Sequence, residues 1–393
     1  MYLLPKPKTI KEQDGQMLLC HSTHIVMTKE VAETEMHAAK RLQEAIRQET
    51  GLILPFSVGE VREGDLSLGI AKTLPEQTYE ITIDEKGGQI SGGDGAGVLY
   101  GVETFCQIVQ QCGGILPCVQ IQDAPDMPNR GYYFDQTRGR VLKLEELKKI
   151  ADRMCRYKLN QLQLYVEHTY LFRDFSEMWR DQTPLTAEEI LELDSYCRER
   201  HIELVPSLAS FGHLCTLLAT KTYGDLCEME DSWKEPFSFW NRMRYHTINV
   251  SDERSLPLIK KMIAEYMQLF SSNKFNICAD ETFCLGKYKS KKLAEERGVH
   301  RLYIDYVKEL AQFLVENGKI PMFWGDIIWN SPELMKELPE SMICLNWGYA
   351  PEQREDETRA IAQTGARCGR SGPVSLPGCM RLEPVGKLNR KFL

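Results

Sequence analysis

The chain contains no apolar run approaching the roughly 18 residues that a membrane-spanning helix needs. It has no excess of positive charge either: 48 Lys and Arg stand against 56 Asp and Glu, for a formal charge of −8. That balance argues against a nucleic-acid binder or a polybasic membrane-surface protein. Its 13 cysteines form no CxxC pair and no zinc-ligand spacing, so they read as buried or free thiols rather than a disulfide framework. The first thirty residues show no basic start followed by an unbroken apolar core, which predicts no secretory signal and a cytoplasmic location. Heptads, repeats and low-complexity segments are missing too. What remains, 393 residues with 42% hydrophobic and 26% charged side chains, is the composition of a globular enzyme of two or three domains.

Two patterns divide the chain. Residues 1–125 are mixed α/β: LLCHSTHIVM (18–27) and TYEITID (78–84) alternate like strands, and Ala39, Leu42 and Ile46 recur at helical spacing. Gly92, Gly93, Gly95 and Gly97 form a glycine-rich loop before a helical stretch at 97–111. No Lys-Ser/Thr follows it and no βαβ unit frames it, so a turn and helix start is expected rather than a phosphate site. A linker, DAPDMPNRG (123–131), then leads into residues 126–393.

In this second part, short apolar strands alternate with helices. Strands are predicted at 131–136, 161–167, 203–209, 275–280, 320–326 and 341–347, with helices at 142–157, 186–200, 253–270, 301–317, 332–337 and 352–364. Thr186 with Glu189 makes a capping box, and Ser331 before Pro332 marks another helix start. Ser251, within an Asn249-Val250-Ser251 sequon, is expected to cap the 253–270 helix. Apolar strands separated by helices call for a parallel sheet, doubly wound or closed into a (β/α)8 barrel. A barrel gathers its chemistry at the C-terminal strand ends. Here those ends carry Asp135, Glu167, Asp280-Glu281, Asp326 and Trp347, with His213 just beyond the third.

Asp280-Glu281 is the sharpest feature. Two carboxyl groups in a half-buried site have their pKa values driven apart, so one can stay protonated as a general acid. Trp324 and Trp347 close two strands, and the 210–250 segment adds Phe211, Tyr223, Trp233, Phe237, Phe239, Trp240 and Tyr245. Aromatic faces beside carboxylates suit a sugar, whose ring has apolar C–H faces and polar edges.

With these residues in order, the chain resembles the β-N-acetylhexosaminidases of glycoside hydrolase family 20. RGYYFDQTRGR supplies Arg130, Asp135 and Arg138; KLN stands at 158–160; Gly212-His213, Asp280-Glu281, Trp324 and Trp347 follow in the family's sequence. Residues 1–125 resemble the small α/β domain that precedes the barrel. Departures occur at Tyr165-Val166-Glu167-His168, where the family carries His-Leu-x-Asp-Asp, and at Asn276 and Cys278-Ala279, where it carries His and two glycines.

The resemblance implies an exo-acting retaining hydrolase of terminal β-linked N-acetylhexosamine, in which the substrate's acetamide oxygen is the nucleophile and an oxazoline the intermediate. Glu281 is then the acid and base, and Asp280 orients the acetamide. Arg130 binds sugar hydroxyls, Trp324 and Trp347 wall the sugar, and His213 supports the pair. Asp326 and Glu167 are further contacts. The implied partner is a small-molecule or oligosaccharide substrate, with neither metal nor organic cofactor.

The tail sets a limit. A barrel unit takes about 31 residues, and 46 follow Trp347. The expectation is therefore a barrel incomplete at strands 7 and 8, with a seventh strand near 366–370, an irregular 366–393 tail and a C-terminal truncation. Two further readings follow: an inactive or sugar-binding-only fragment, and a two-carboxylate retaining glycosidase with Glu167 as nucleophile.

Overall fold

A computed structural model of the chain describes residues 1–236, 238–349, 355–365, 367–371 and 379–382. Phe237 and, in the tail, residues 350–354, 366, 372–378 and 383–393 lie outside the described residues. The chain forms two compact units: Met1–Pro128 with Lys149–Asn160 and Tyr196–Ile202, and Asn129–Lys148 with Gln161–Ser195 and Glu203–Leu393.

The first unit is built on β1 (Thr9–Leu18), β2 (Ile25–Met27), α1 (Lys29–Thr34), α2 (Met36–Thr50), β3 (Phe56–Val58), β4 (Leu66–Ile70), β5 (Tyr79–Asp84), β6 (Gly87–Gly92), α3 (Gly95–Cys112) and β7 (Ile115–Asp123). Its sheet runs β1-β7-β5-β6-β4-β2-β3. Ala39, Leu42 and Ile46 are fully buried on α2, as their spacing predicts, and α3 is buried from Ala96 to Val109. The glycine-rich loop is a packing device. Cβ atoms at Gly92, Gly93 and Gly97 would collide with the backbone of Val98, Pro75 and Thr78. Asp94 caps α3, accepting hydrogen bonds from the Gly97 and Gln77 N–H groups at 2.7 and 2.9 Å.

In the second part of the chain come β8 (Asn129–Asp135), α4 (Leu144–Arg156), β9 (Gln161–Val166), α5 (Ser176–Trp179), α6 (Ala187–Arg198), β10 (Glu203–Leu208), α7 (Cys215–Leu218), α8 (Phe239–Arg244), α9 (Ser255–Met267), β11 (Lys274–Asn276), α10 (Lys291–Arg297), α11 (Val299–Glu316), β12 (Ile320–Trp324), β13 (Ile343–Trp347), α12 (Glu355–Gln363), β14 (Arg367–Ser371) and β15 (Cys379–Leu382). The strands close a barrel in the order β10-β11-β12-β13-β14-β15-β8-β9. From β8 to β14 every neighbouring pair is parallel, whereas β15 lies antiparallel to both β14 and β8. The seventh strand is therefore β14. No eighth parallel βα unit forms among the described residues, and the four-residue β15 fills that gap within the stretch expected to be irregular. Antiparallel entry needs only a short turn, where a parallel eighth strand would need a long crossover.

Thr186 and Glu189 form the expected reciprocal cap, with the Glu189 N–H donating to Thr186 Oγ1 at 3.2 Å and the Thr186 N–H to Glu189 Oε2 at 2.9 Å. Ser331 does not cap: its hydroxyl pairs with His300 Nδ1 at 2.6 Å, and residues 332–337 wind as a 3-10 helix. Nor does Ser251 cap α9, because its hydroxyl donates to Asn249 Oδ1 at 2.6 Å. Buried Tyr303, Val307, Leu310 and Leu314 on α11 follow helical spacing. Burying a side chain such as Leu or Val stabilises by about 1.5–3 kcal/mol.

Candidate active site

Because β8 to β14 run parallel, their C-terminal ends open on one mouth. Asp135 ends β8, Glu167 follows β9, His213 lies five residues beyond β10, Trp324 and Trp347 end β12 and β13, and Asp326 lies just past Trp324.

Asp280 and Glu281 do not end a regular strand, contrary to the 275–280 strand expected. β11 stops at Asn276, and Cys278, Ala279 and Glu281 take left-handed backbone conformations, with φ of 58°, 62° and 49°. The reason is local: Asn276 Oδ1 accepts the Cys278 N–H at 2.8 Å and turns the chain out of the ladder. Non-glycine residues in that region are strained and persist only when their surroundings hold them. Here the Trp324 N–H donates to the Cys278 carbonyl at 2.8 Å, Tyr303 Oη to the Ala279 carbonyl at 2.9 Å, and the Glu281 N–H to Asp326 Oδ2 at 3.0 Å. Cys278 Sγ lies 3.3 Å from Ser207 Oγ and 3.9 Å from Tyr133 Oη.

His213 meets this turn from the other side. Gly212 lets the two loops close, since a Cβ there would lie 2.6 Å from the Asp280 carbonyl oxygen. His213 Nε2 sits 3.2 Å from Glu281 Oε2 and 3.4 Å from Asp280 Oδ2, a contact with both rather than an aligned hydrogen bond to either. The imidazole is 1% exposed, and the Asp280 and Glu281 carboxylates are 17% and 22% exposed, so solvent or a ligand reaches the acids but not their support. Burial alone would lower the imidazole pKa. The Asp280 charge and the contacts with both carboxylates outweigh burial and raise it to about 10. Burial would likewise raise the Asp280 carboxyl, but the charge and contact of His213, with the Arg138 charge, hold it below the usual range. The donor atoms of His213, Asp280 and Glu281 lie within 4.8 Å of one another.

A second cluster forms beside the first. Arg138 Nε donates to Asp135 Oδ2 at 2.6 Å and lies 3.8 Å from Glu167 Oε1, with its guanidinium 4.9 Å from the Tyr165 ring centre. Glu167 is buried; Tyr165 Oη donates to one oxygen at 2.9 Å and Arg242 Nη2 to the other at 3.0 Å. Its carboxylate is thus committed within the protein, as the holder of Arg138 and Arg242 rather than a contact for sugar. Arg138 stands in the quoted motif; Arg242, on α8 of the long excursion, left no local signal.

Arg130 is the site residue that the structure does not bring to the mouth. It is the second residue of β8, in register with Arg381 and one residue before the Gly131–Gln161 pairing that starts β9. At about 3.3 Å per residue, five residues put it roughly 16 Å from Asp135, towards the opposite end of the barrel. Arg138, past the C-terminal end of the same strand, is the guanidinium that reaches the site.

Trp324 is nearly buried, edge-on to Tyr133 at 5.1 Å between ring centres. Trp347 stays partly exposed, with Tyr349 edge-on at 5.3 Å and 87% exposed. Asp326 Oδ1 and Trp347 Nε1 are both buried without an aligned hydrogen bond among the described residues. Burial and then the Asp280 charge push the Asp326 carboxyl up to about 8. Of the excursion aromatics, Phe211 is core, stacked on Tyr303, while Trp233, Phe239 and Trp240 are exposed.

A parallel barrel with an adjacent Asp-Glu pair, a histidine between the acids and aromatics around its mouth defines a class of sugar-processing proteins. Two family models match this chain: Glycosyl hydrolase family 20, domain 2, over residues 1–124, and Glycosyl hydrolase family 20, catalytic domain, over residues 128–368. The chain belongs to glycosyl hydrolase family 20. It is 24% identical over 363 residues to a β-hexosaminidase of Porphyromonas gingivalis, covering 83% of this chain and 45% of that protein. A β-hexosaminidase of Vibrio furnissii is 26% identical over 310 residues, covering 71% of this chain and 48% of that protein. The chain therefore spans about half the length of these relatives. The fold is that of the family 20 β-N-acetylhexosaminidase of Streptomyces coelicolor, with a TM-score of 0.77 at 19% identity over 94% of this chain and 74% of that one. Flavobacterium johnsoniae chitobiase is similar, with a TM-score of 0.78 at 19% identity over 94% of this chain and 59% of that one.

Proposed function

We propose that this chain carries an exo-acting β-N-acetylhexosaminidase activity that removes terminal β-linked N-acetylhexosamine with retention, through an oxazoline intermediate. The observation that carries the reading is the division of the carboxylates: Asp280 and Glu281 share His213 at the mouth, while Glu167, the nucleophile of the two-carboxylate reading, is bound to Arg242 and Tyr165. A substrate acetamide supplies the nucleophile that the protein withholds.

The acetamide oxygen attacks C1 as Glu281 protonates the departing glycosidic oxygen, and the bond from C1 to that oxygen breaks. Asp280, held ionised by His213, accepts the acetamide N–H and balances the positive charge growing on the ring. Glu281, now a carboxylate, takes a proton from water, which attacks C1 on the face the leaving group vacated and reopens the ring. Arg138, rather than Arg130, is placed to hold sugar hydroxyls in a charge-assisted contact. A solved relative from Vibrio harveyi is described in complex with N-acetylglucosamine, which supports a sugar ligand of this size. A cytoplasmic site of action is part of this proposal, supported by 12 of the 13 cysteines standing outside any disulfide.

Aryl glycosides of β-GlcNAc, β-GalNAc and β-glucose test the reading, with Glu281→Gln as control. Turnover of the acetamido sugars alone is expected, inhibited by a thiazoline mimic and reduced about 10²–10⁴-fold by Glu281→Gln. Equal turnover of the glucoside would favour an enzymic nucleophile. A folded protein that binds GlcNAc without turning it over would leave a sugar-binding barrel.

A further inference from the structure

Asp280, Glu281 and Asp326 bring three carboxyl groups to one mouth, and the imidazolium of His213 contacts only the first two. Asp326 instead accepts the Glu281 backbone N–H through Oδ2 at 3.0 Å, while its Oδ1 is buried without an aligned hydrogen bond among the described residues. We propose that Asp326 is a positioning residue, a neutral carboxylic acid that pins the Glu281 backbone so that its side chain faces His213 and the substrate, and that it does not bind sugar. This rests on the hexosaminidase reading.

Two physical arguments lead there. Glu281 has a φ of 49°, a conformation that a residue with a Cβ keeps only when an external partner holds it. The partner of its N–H is Asp326, projecting from the loop after the neighbouring strand β12. The second argument is charge. The groups that act on or feel Asp326 are Asp280 and Glu281 from the turn after β11, Tyr303 from α11, and Cys344 and Trp347 from β13. None of these is a cation. Burial drives the phenol and the thiol far above their ordinary values, so they stay neutral. Burial and the neighbouring Asp280 charge both oppose a negative charge on Asp326. Asp280 keeps its charge through His213 and Arg138, whereas no cation among the described residues is an ion-pair partner of Asp326. An amide could replace a neutral acid that only accepts a hydrogen bond; a methyl group could not.

Asp326→Asn and Asp326→Ala separate the possibilities. The asparagine keeps an acceptor for the Glu281 N–H and is expected to hold kcat within about threefold of the wild type near pH 6.5. The alanine is expected to lose about 10²-fold in kcat with KM within about twofold, the pattern of a lost transition-state arrangement. The raised pKa predicts a stability signature as well. The Asp326 proton is held in the folded state between its ordinary value and about 8, so folding loses stability as pH rises through that window. Asp326→Asn should therefore melt with the wild type at pH 4 and above it at pH 8. In protein carrying 13C-labelled aspartate, the carboxyl resonance missing from Asp326→Asn should titrate near pH 8, and the Glu281 amide should shift with it. An asparagine variant as impaired as the alanine, a rise in KM with kcat unchanged, or a resonance titrating with the ordinary carboxylates would each overturn the proposal. Should the wild type turn over no acetamido glycoside, the hexosaminidase reading fails, and the resonance and amide shift still decide whether Asp326 holds Glu281 as a neutral acid.

Discussion

The turn before α3 and the turn after β11 handle the same problem in opposite ways. Both bend the chain sharply after a strand, and both contain an aspartate. At residues 92–97, glycines stand wherever a Cβ would strike backbone, and the Asp94 carboxylate is used up capping a helix. At residues 276–281 no glycine is present, three residues take positive φ, and Asp280 and Glu281 remain within reach of solvent. One turn gives its polar groups to the fold. The other is held by Asn276 at its start and by Tyr303, Trp324 and Asp326 from outside, and leaves its carboxylates within reach of a ligand.

The largest expected effect comes from removing the cation that lets two carboxylates share the second turn. His213→Asn should destabilise the protein by about 3 kcal/mol near pH 6, because losing one partner leaves buried charge unbalanced. The raised histidine pKa sets the pH dependence: its contribution is full below about 6.5 and is lost as pH rises through about 10. Melting temperatures of the two proteins should converge over that window, and a constant gap would mean His213 acts by packing alone. Next in size is Gly92→Ala, which forces a Cβ against the Val98 backbone and should cost about 1–3 kcal/mol in denaturant titration. Activity per folded molecule should stay the same, since the first turn holds no chemistry. The smallest effect sharpens the contrast most. Ala279→Gly relieves a φ of 62° and should raise stability by about 1 kcal/mol. It should also slow turnover several-fold, because the looser turn no longer holds Glu281 in place. Stabilisation without loss of rate would show that the strain is incidental.

Much of this was legible in the sequence where chemistry is local. Strand and helix periods marked both parts of the chain, and Thr186 with Glu189 marked a cap that forms. The ordered motifs pointed to the Asp-Glu pair and to His213. Failures came where a residue's role depends on which end of a strand it occupies. Arg130 and Arg138 bracket one strand in one motif, and only the parallel register places the second at the mouth. Glu167 looked like a contact for sugar because its partner Arg242 lies 75 residues away in sequence. Ser331 and Ser251 stand where caps belong, yet closer partners took their hydroxyls.

The sequence by itself determined the division into an α/β unit and a parallel-sheet part, because burial on both faces of a strand and on one face of a helix writes a period into neighbouring residues. It also determined which acids could act, since Asp280 and Glu281 are adjacent in the chain. Tertiary structure alone decided their states. The histidine that keeps Asp280 ionised and the arginine that commits Glu167 come from the excursion after β10, and the carboxyl that holds Glu281 comes from the loop after β12. Their effect is electrostatic and falls off with distances that only the closed barrel sets.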